Sequence, residues 1–371
     1  MRLLLCGGGT AGHINPAIAI AEELMSSHPN SKVLFVGRDE GSENLLIKDA
    51  GFEYRTLKIQ GIKRSLSPSN FKRIKNAVKS IGSASKIINE FAPDVILGTG
   101  GYVCWPVITA GRRMGIPTAI HESNITPGLT TKLLSKKCNV VFLNRDETKN
   151  HLNKKVKAIT VGNPLRQNFK KYTREKARQK LGIKENELLI LSFGGSIGSE
   201  KMNEIIIDVI KNYSSKRSDV KHIHGVGKRY YENLKSVKTE YDGCRILPFI
   251  NEMPLVMRAS DIVICRCGAM TLSEICEVGV APILIPSPNV TANHQYLNGK
   301  HLEDRGGAIL IEEKDLSTKA LISAIDKLKN EKNGRKTRAK ILKDLSTPNS
   351  AKTIVSELFL LKKSSKKQHI R

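Results

Sequence analysis

Short apolar runs recur along the chain, separated by amphipathic or polar stretches of helix length. LLLC (3–6), KVLFVG (32–37), DVILG (94–98), PTAIH (117–121) and NVVFLN (139–144) read as buried strands of a parallel sheet. The pattern then restarts. LLILSFGGSIGSEKMN (188–203) is again an apolar strand, a Gly loop and a helix start, followed by KHIHGV (221–226), CRILPF (244–249), DIVIC (261–265) and APILIP (281–286). Two similar α/β units are therefore expected, not one long sheet. GNPLRQNFKKYTREKARQKLGI (162–183) joins a Gly-Asn-Pro break to a basic helix and is the expected linker. AKTIVSELFLL (351–361) has helical apolar spacing and is expected to dock back on the first half. The basic tail after it is expected to fray.

Composition narrows the class. The 371 residues suffice for two ordinary cores, and 40% hydrophobic with 26% charged residues describes a soluble globular chain. Aromatics at 5% argue against a stacking platform for single-stranded nucleic acid. Lys plus Arg number 61 against 35 Asp plus Glu, a formal charge of +26. Such a surface attracts polyanions, whether nucleic acid, an anionic lipid leaflet or a phosphorylated substrate. The cysteines (Cys6, Cys104, Cys138, Cys244, Cys265, Cys267, Cys276) are scattered through apolar runs and read as reduced thiols of a cytoplasmic protein. Cys265-x-Cys267 lacks the second pair of a zinc site. The apolar part of MRLLLC is too short for a signal peptide, and no run approaches the ~18 apolar residues of a membrane span. The N-x-S/T sequons at Asn124, Asn212 and Asn289 read as chance.

Three Gly loops sit at the carboxyl ends of strands, where open α/β sheets bind ligands: GGGTAGH (7–13), GTGGYVCWP (98–106) and GGSIGS (194–199). A Gly loop feeding a helix aims free backbone N–H groups, and the positive end of the helix dipole, at one spot suited to phosphate. The alternative for any one of them is a tight turn. Gly7, Gly9 and Gly12 also satisfy G-x-G-x-x-G, so an NADP-dependent oxidoreductase stays open. The second strand, however, ends with Gly37 and Arg38 instead of the acid a ribose needs. In RCGAMTLSEICEVG (266–279), Thr271-x-x-Glu274 could be a capping box. The rival reading has Glu274 accepting both hydroxyls of a ribose. His294, Gln295 and Asn298 could likewise bind sugar hydroxyls or belong to a polar loop entering a helix.

GGGTAGHINPAIAIAEEL, LGTGGYVCWPVITA, HESNITPG, VGNPLR, SFGGSIGS, CRCGAMTLSEI and NHQYLN stand in the order seen in the MurG family, which the chain resembles from residue 2 to about 345. The resemblance implies a GT-B fold, α/β with two Rossmann-like domains of parallel sheet facing across a cleft. It implies an N-terminal acceptor and membrane domain (1–163 plus 346–371) and a C-terminal UDP-GlcNAc domain (164–345). The implied reaction moves GlcNAc from UDP-GlcNAc, with inversion, to the MurNAc 4-hydroxyl of undecaprenyl-pyrophosphoryl-MurNAc-pentapeptide (lipid I to lipid II). This places the chain in peptidoglycan synthesis, cell shape and division, as a peripheral protein on the cytoplasmic face of the membrane. On the donor side the resemblance implies Glu274 at the ribose, Ile250 and Arg266 at the base, and Ser196 at the phosphates. It also implies Arg166 in the interdomain segment, Met270 and Thr271 near sugar and phosphates, and His294 with Gln295 on the GlcNAc hydroxyls. Asn124, with Glu122 close by, falls at the reaction centre. His13, Tyr102, Gly9, Thr10, Gly100 and Gly101 fall on the acceptor side, and Thr10 and Gly12 also near the donor. The chain departs from the family at His294, where a paired glutamine is usual, at Ile197, and at Cys104 and Trp105.

Inverting transfer needs a base at the acceptor hydroxyl and stabilisation of the departing UDP. His13, at a helix N-terminus, is the candidate base and Glu122 the alternative. Backbone N–H groups around GGSIGS can replace a metal; no D-x-D occurs, and no cofactor or metal is expected. Residues 61–91 mix Lys63, Arg64, Lys72, Arg73, Lys75 and Lys79 with Phe71, Ile74, Val78 and Ile81 at helical spacing. That suits an interfacial helix on an anionic membrane surface; the alternative is a core-facing helix with a basic back. A basic nucleic-acid-binding protein is the remaining alternative, although no specific nucleic acid is expected.

Overall fold

The computed structural model describes residues 1–39, 43–59, 69–195, 198–232 and 239–368, with backbone alone for 43, 69–75, 77, 228 and 366–368. The chain divides into two compact units, Met1–Arg166 with Thr347–Arg371, and Gln167–Ser346.

In the first unit, β1 (Arg2–Cys6), β2 (Lys32–Arg38), β3 (Glu53–Leu57), β4 (Val95–Gly98), β5 (Thr118–Glu122), β6 (Val140–Leu143) and β7 (Ala158–Thr160) form one parallel sheet. Its order is β3-β2-β1-β4-β5-β6-β7. Leu4 of β1 pairs with Leu34 on one side and Ile96 on the other. The run LLLC shows no alternation because both faces are covered. Leu3 and Leu5 enter a core with Ile14, Ile18 and Leu24 of α1 (Ala11–Ser27), while Leu4 and Cys6 enter the opposite core. Beside α1 lies α2 (Glu43–Asp49). The opposite layer holds α3 (Ser69–Phe91), α4 (Cys104–Arg113) and α5 (Leu129–Ser135), each packed on the next. In α3, Ile81, Ala84, Ile88 and Phe91 form the buried stripe. Val78, a turn earlier, is exposed, so the apolar residues read as one interfacial face split between core and solvent. The expected contacts at Phe71, Ile74 and the cations of 61–75 lie outside the described side chains.

The second unit opens with α6 (Arg174–Leu181), inside the stretch expected to be linker. Arg174 and Arg178 both bind Asp261, at 2.7 and 3.0 Å, which fastens this helix to the second sheet. The sheet comprises β8 (Leu188–Phe193), β9 (Val220–Gly225), β10 (Glu240–Tyr241), β11 (Cys244–Leu247), β12 (Ile262–Cys265), β13 (Ala281–Leu284) and β14 (Ile309–Leu310), ordered β10-β11-β9-β8-β12-β13-β14. Edge strand β10 runs antiparallel to β11, the one departure from all-parallel pairing among the described strands. The helices are α7 (Glu200–Asn212), α8 (Lys228–Tyr231), α9 (Met253–Ala259), α10 (Ala269–Val278), α11 (His294–Glu303), α12 (Thr318–Asn330) and α13 (Lys332–Asp344). The last helix, α14 (Ser350–Gln368), belongs to the first unit. It packs along α1: Ile354, Val355 and Leu358 are buried there, His28 and Phe359 stack with centroids 4.4 Å apart, and Lys362 Nζ lies 2.7 Å from Asp94. No described helix is long and apolar enough to cross a membrane.

Candidate active site

Strand order reverses beside β1 and β4 in the first unit, and beside β8 and β12 in the second. Ligands of open α/β sheets bind at such points. All three Gly loops follow these strands.

In the first unit the loops after β1 and β4 are in contact: Gly8 N donates to Gly100 O at 3.3 Å. Gly101 has φ +85°, and a Cβ there would lie 2.1 Å from Gly8 O, so only glycine permits the approach. The half-buried His13 ring covers Gly100, where a Cβ would meet His13 Cδ2 at 2.5 Å. His13 Nδ1 is 2.9 Å from Gly8 O. A carbonyl only accepts, so Nδ1 carries the proton and Nε2 is the basic nitrogen. Beneath the second loop, buried Cys104 accepts from Gly100 N and lies within bonding reach of Cys6 O and Gly100 O. This departure from the family pattern therefore packs as support for the loop. Tyr102 is half-buried at the start of the same turn, and Gly9 and Thr10 are exposed.

At the end of β5, Glu122 is 5% exposed and its carboxylate is fully engaged. Oε1 accepts from Asn124 N (3.0 Å) and Asn124 Nδ2 (3.1 Å); Oε2 accepts from Gly128 N (3.0 Å) and Thr131 Oγ1 (2.6 Å). Asn144 and Asn163 both donate to Ser123 O, at 2.9 and 3.3 Å. The buried His121 Nε2 lies 3.0 Å from Gly162 O, and its pKa is lowered by burial. Sequence reasoning missed Thr131; the signal available was a carboxylate in an apolar strand, which must find donors. Arg166 forks onto Glu22 of α1 through Nε (3.0 Å) and Nη2 (2.6 Å), with both residues in the first unit.

In the second unit, Gly194–Gly195 and Gly198–Ser199 lead into α7, whose cap Ser199 accepts from Arg266 at 2.6 Å. The intervening Ser196 lies outside the described residues. Arg266 also donates to Ile285 O (3.3 Å) and Pro286 O (3.1 Å) and pairs with Glu313. It fastens the loops after β8, β12, β13 and β14. Ile250 is buried against Gly225 at the end of β9. Helix α10 is capped by Gly268, and Thr271 is already inside the first turn with no capping bond, so the capping-box alternative does not form. Met270 is buried and Thr271 half-buried on this turn. Glu274, a turn further, has no hydrogen-bond partner among the described residues, and burial pushes its carboxyl up to about 8. Gln295 Oε1 accepts from Ser287 N at 2.9 Å, His294 Nδ1 donates to Thr291 O at 2.8 Å, and Asn298 is buried against Cys267 O. Among the described residues no group of three or more His, Cys, Asp or Glu side chains could hold a metal.

Two α/β units with Gly loops at both switch points are the architecture of the GT-B class, and family models assign the chain to its glycosyltransferases. Residues 3–143 match the glycosyltransferase family 28 N-terminal domain and residues 189–354 the family 28 C-terminal domain. Curated relatives bear the name UDP-N-acetylglucosamine–N-acetylmuramyl-(pentapeptide) pyrophosphoryl-undecaprenol N-acetylglucosamine transferase. One from Thermoanaerobacter sp. is 44% identical over 329 residues, covering 88% of this chain and 90% of the relative. One from Bacillus subtilis is 36% identical over 367 residues, covering 98% and 100%. The crystal structure of Acinetobacter baumannii MurG superposes with a TM-score of 0.75 at 26% identity, covering 96% of this chain and 99% of that one. The chain belongs to the MurG family.

Proposed function

We propose that this enzyme transfers GlcNAc from UDP-GlcNAc to the MurNAc 4-hydroxyl of undecaprenyl-pyrophosphoryl-MurNAc-pentapeptide, with inversion and release of UDP. The observation that carries this reading is near full-length similarity, through both units, to proteins named for that reaction. The second unit takes the donor. Glu274 is a carboxyl without a partner among the described residues, suited to accept both hydroxyls of a ribose, with Ile250 and Arg266 toward the base. Met270 and Thr271 face sugar and phosphates, and Gln295, its Oε1 fixed on Ser287, presents its amide N–H groups to the GlcNAc hydroxyls beside His294. The loop through Ser196 and the start of α7 stabilise the charge that develops on UDP.

The first unit takes the acceptor through Gly9, Thr10, Gly100, Gly101 and Tyr102. Gly12 and Thr10 lie by the incoming donor. His13 is the base: Nδ1 is committed to Gly8 O, so Nε2 receives the hydroxyl proton as the anomeric carbon is attacked and the bond to UDP breaks. Glu122 is less suited, because four donors already occupy its oxygens. Asn124 sits at the reaction centre.

The enzyme works at the cytoplasmic membrane face. The outer surface of α5 supports this, with Leu129 (70% exposed) and Leu133 (54%) interleaved with exposed Lys132 and Lys136. Exposed Val78 and Lys79 of α3, and Arg112, Arg113 and Met114 at the end of α4, carry the same mixture. Apolar groups ringed by cations suit an anionic interface.

The test measures melting temperature and product together. UDP and UDP-GlcNAc raise the melting temperature, NADPH does not, and a short-chain lipid I analogue is converted to the disaccharide. Stabilisation by NADPH alone, with no disaccharide formed, ends the reading.

A further inference from the structure

We infer that Thr131 is a positioning residue for the transfer reaction, acting through Glu122 on Asn124. The inference rests on the reading of Asn124 as a reaction-centre residue. Asn124 lies on the turn leaving β5, a segment with no regular hydrogen-bonding ladder of its own. Its backbone N–H and its side-chain amide both end on one oxygen, Glu122 Oε1. The direction of the Asn124 side chain therefore depends on where the carboxylate plane lies. That plane has one rotation left, about the bond to the carboxyl carbon, and the other oxygen decides it. Oε2 is held by Gly128 N at the start of α5 and by Thr131 Oγ1, buried in the first turn of that helix, at 2.6 Å. The hydroxyl bond is the shortest of the four and ends on a charged acceptor, the stronger kind of hydrogen bond.

The chain of contacts runs Thr131, Glu122, Asn124, with no exposed member before Asn124. Ser123 between them is fixed separately by Asn144 and Asn163. The backbone of the turn is thus secured from two sides, whereas the amide of Asn124 is oriented through the carboxylate. Removing the Thr131 hydroxyl leaves Oε2 with Gly128 N as its one donor and loosens the hold on the carboxylate plane. The turn would keep its path while the amide loses its bearing.

Thr131→Val preserves shape and β-branching and deletes only the hydroxyl. It is expected to lower kcat five- to twenty-fold, with KM for UDP-GlcNAc changed less than two-fold and the acidic limb of the pH–rate profile unmoved. Thr131→Ser restores kcat to within two-fold of the parent. In an Asn124→Ala background, which alone lowers kcat further, adding Thr131→Val has no additional effect, because the residue it orients is gone. Parental kcat in Thr131→Val, or full additivity with Asn124→Ala, overturns the inference. Parental kcat in Asn124→Ala instead overturns the reading on which it rests. Circular dichroism and melting temperature of each variant identify any loss caused by unfolding.

Discussion

Glu122 in the first unit and Glu274 in the second are carboxyls in apolar surroundings with opposite environments. Glu122 accepts four hydrogen bonds from three residues of its own loop and helix. Glu274 accepts none among the described residues, and burial lifts its pKa to about 8. The first is a finished piece of architecture that orders a turn. The second is half-buried and its demand for donors is unmet among the described residues. A ligand diol meets that demand. The same fold used twice thus provides one side that is pre-organised by protein contacts and another that is completed by what binds.

The sharpest way to break this contrast is on the pre-organised side. His13→Ala is expected to lower kcat about 10³-fold, the size of a lost base, without changing UDP binding; a loss below three-fold would remove His13 from proton transfer. On the other side, Glu274→Ala is expected to lower kcat/KM for UDP-GlcNAc about 10²-fold, as loss of charge-assisted bonds at ~1.5–3 kcal/mol implies, with the melting temperature retained. The ionised carboxylate is the form that accepts both hydroxyls. Donor binding should therefore expel a proton below pH ~8 and weaken by up to tenfold per pH unit as pH falls. Calorimetric dissociation constants flat between pH 6 and 9 would contradict this, and Glu274→Gln should abolish the slope.

Membrane attachment belongs to the first unit in this reading. Lys132→Glu with Lys136→Glu is expected to weaken binding to anionic vesicles at least about thirty-fold, since each lost cation removes about 1 kcal/mol. Unchanged co-sedimentation would place the contact elsewhere. A separate effect, on stability alone, belongs to the sheet of the second unit, where His222 and His224 share Ser192 Oγ at 2.8 and 2.9 Å. Burial holds them down at about 3 and about 4. An unfolded histidine takes its proton near pH 6.5, so between about 6.5 and 4 the unfolded chain binds protons the folded one refuses. Stability therefore falls as pH drops through that window, by up to about 1.4 kcal/mol per pH unit per histidine. Urea midpoints at pH 7 and 5 should differ accordingly, and less in a His222→Gln, His224→Gln variant.

The central strands were legible because their apolar runs are unbroken, as burial on both faces requires. Strands β3, β7, β10 and β14 went unread: EYRTL is polar and half-exposed, and the others are two or three residues long at sheet margins. The Gly loops marked both switch points directly. What the sequence concealed was partnership. Arg166 meets Glu22 and Arg266 meets Glu313 across long sequence separations. Thr131 sits in LTTKLLS, which by itself says only helix.

Helix α14 has a consequence for how the protein is made. Ile354, Val355 and Leu358 complete the hydrophobic layer over α1 and β1, which leave the ribosome well before them. The whole second unit is synthesised in between. The half that is begun before the other is therefore closed only after it, and its nascent form must wait, with that layer open, until the second unit has been synthesised.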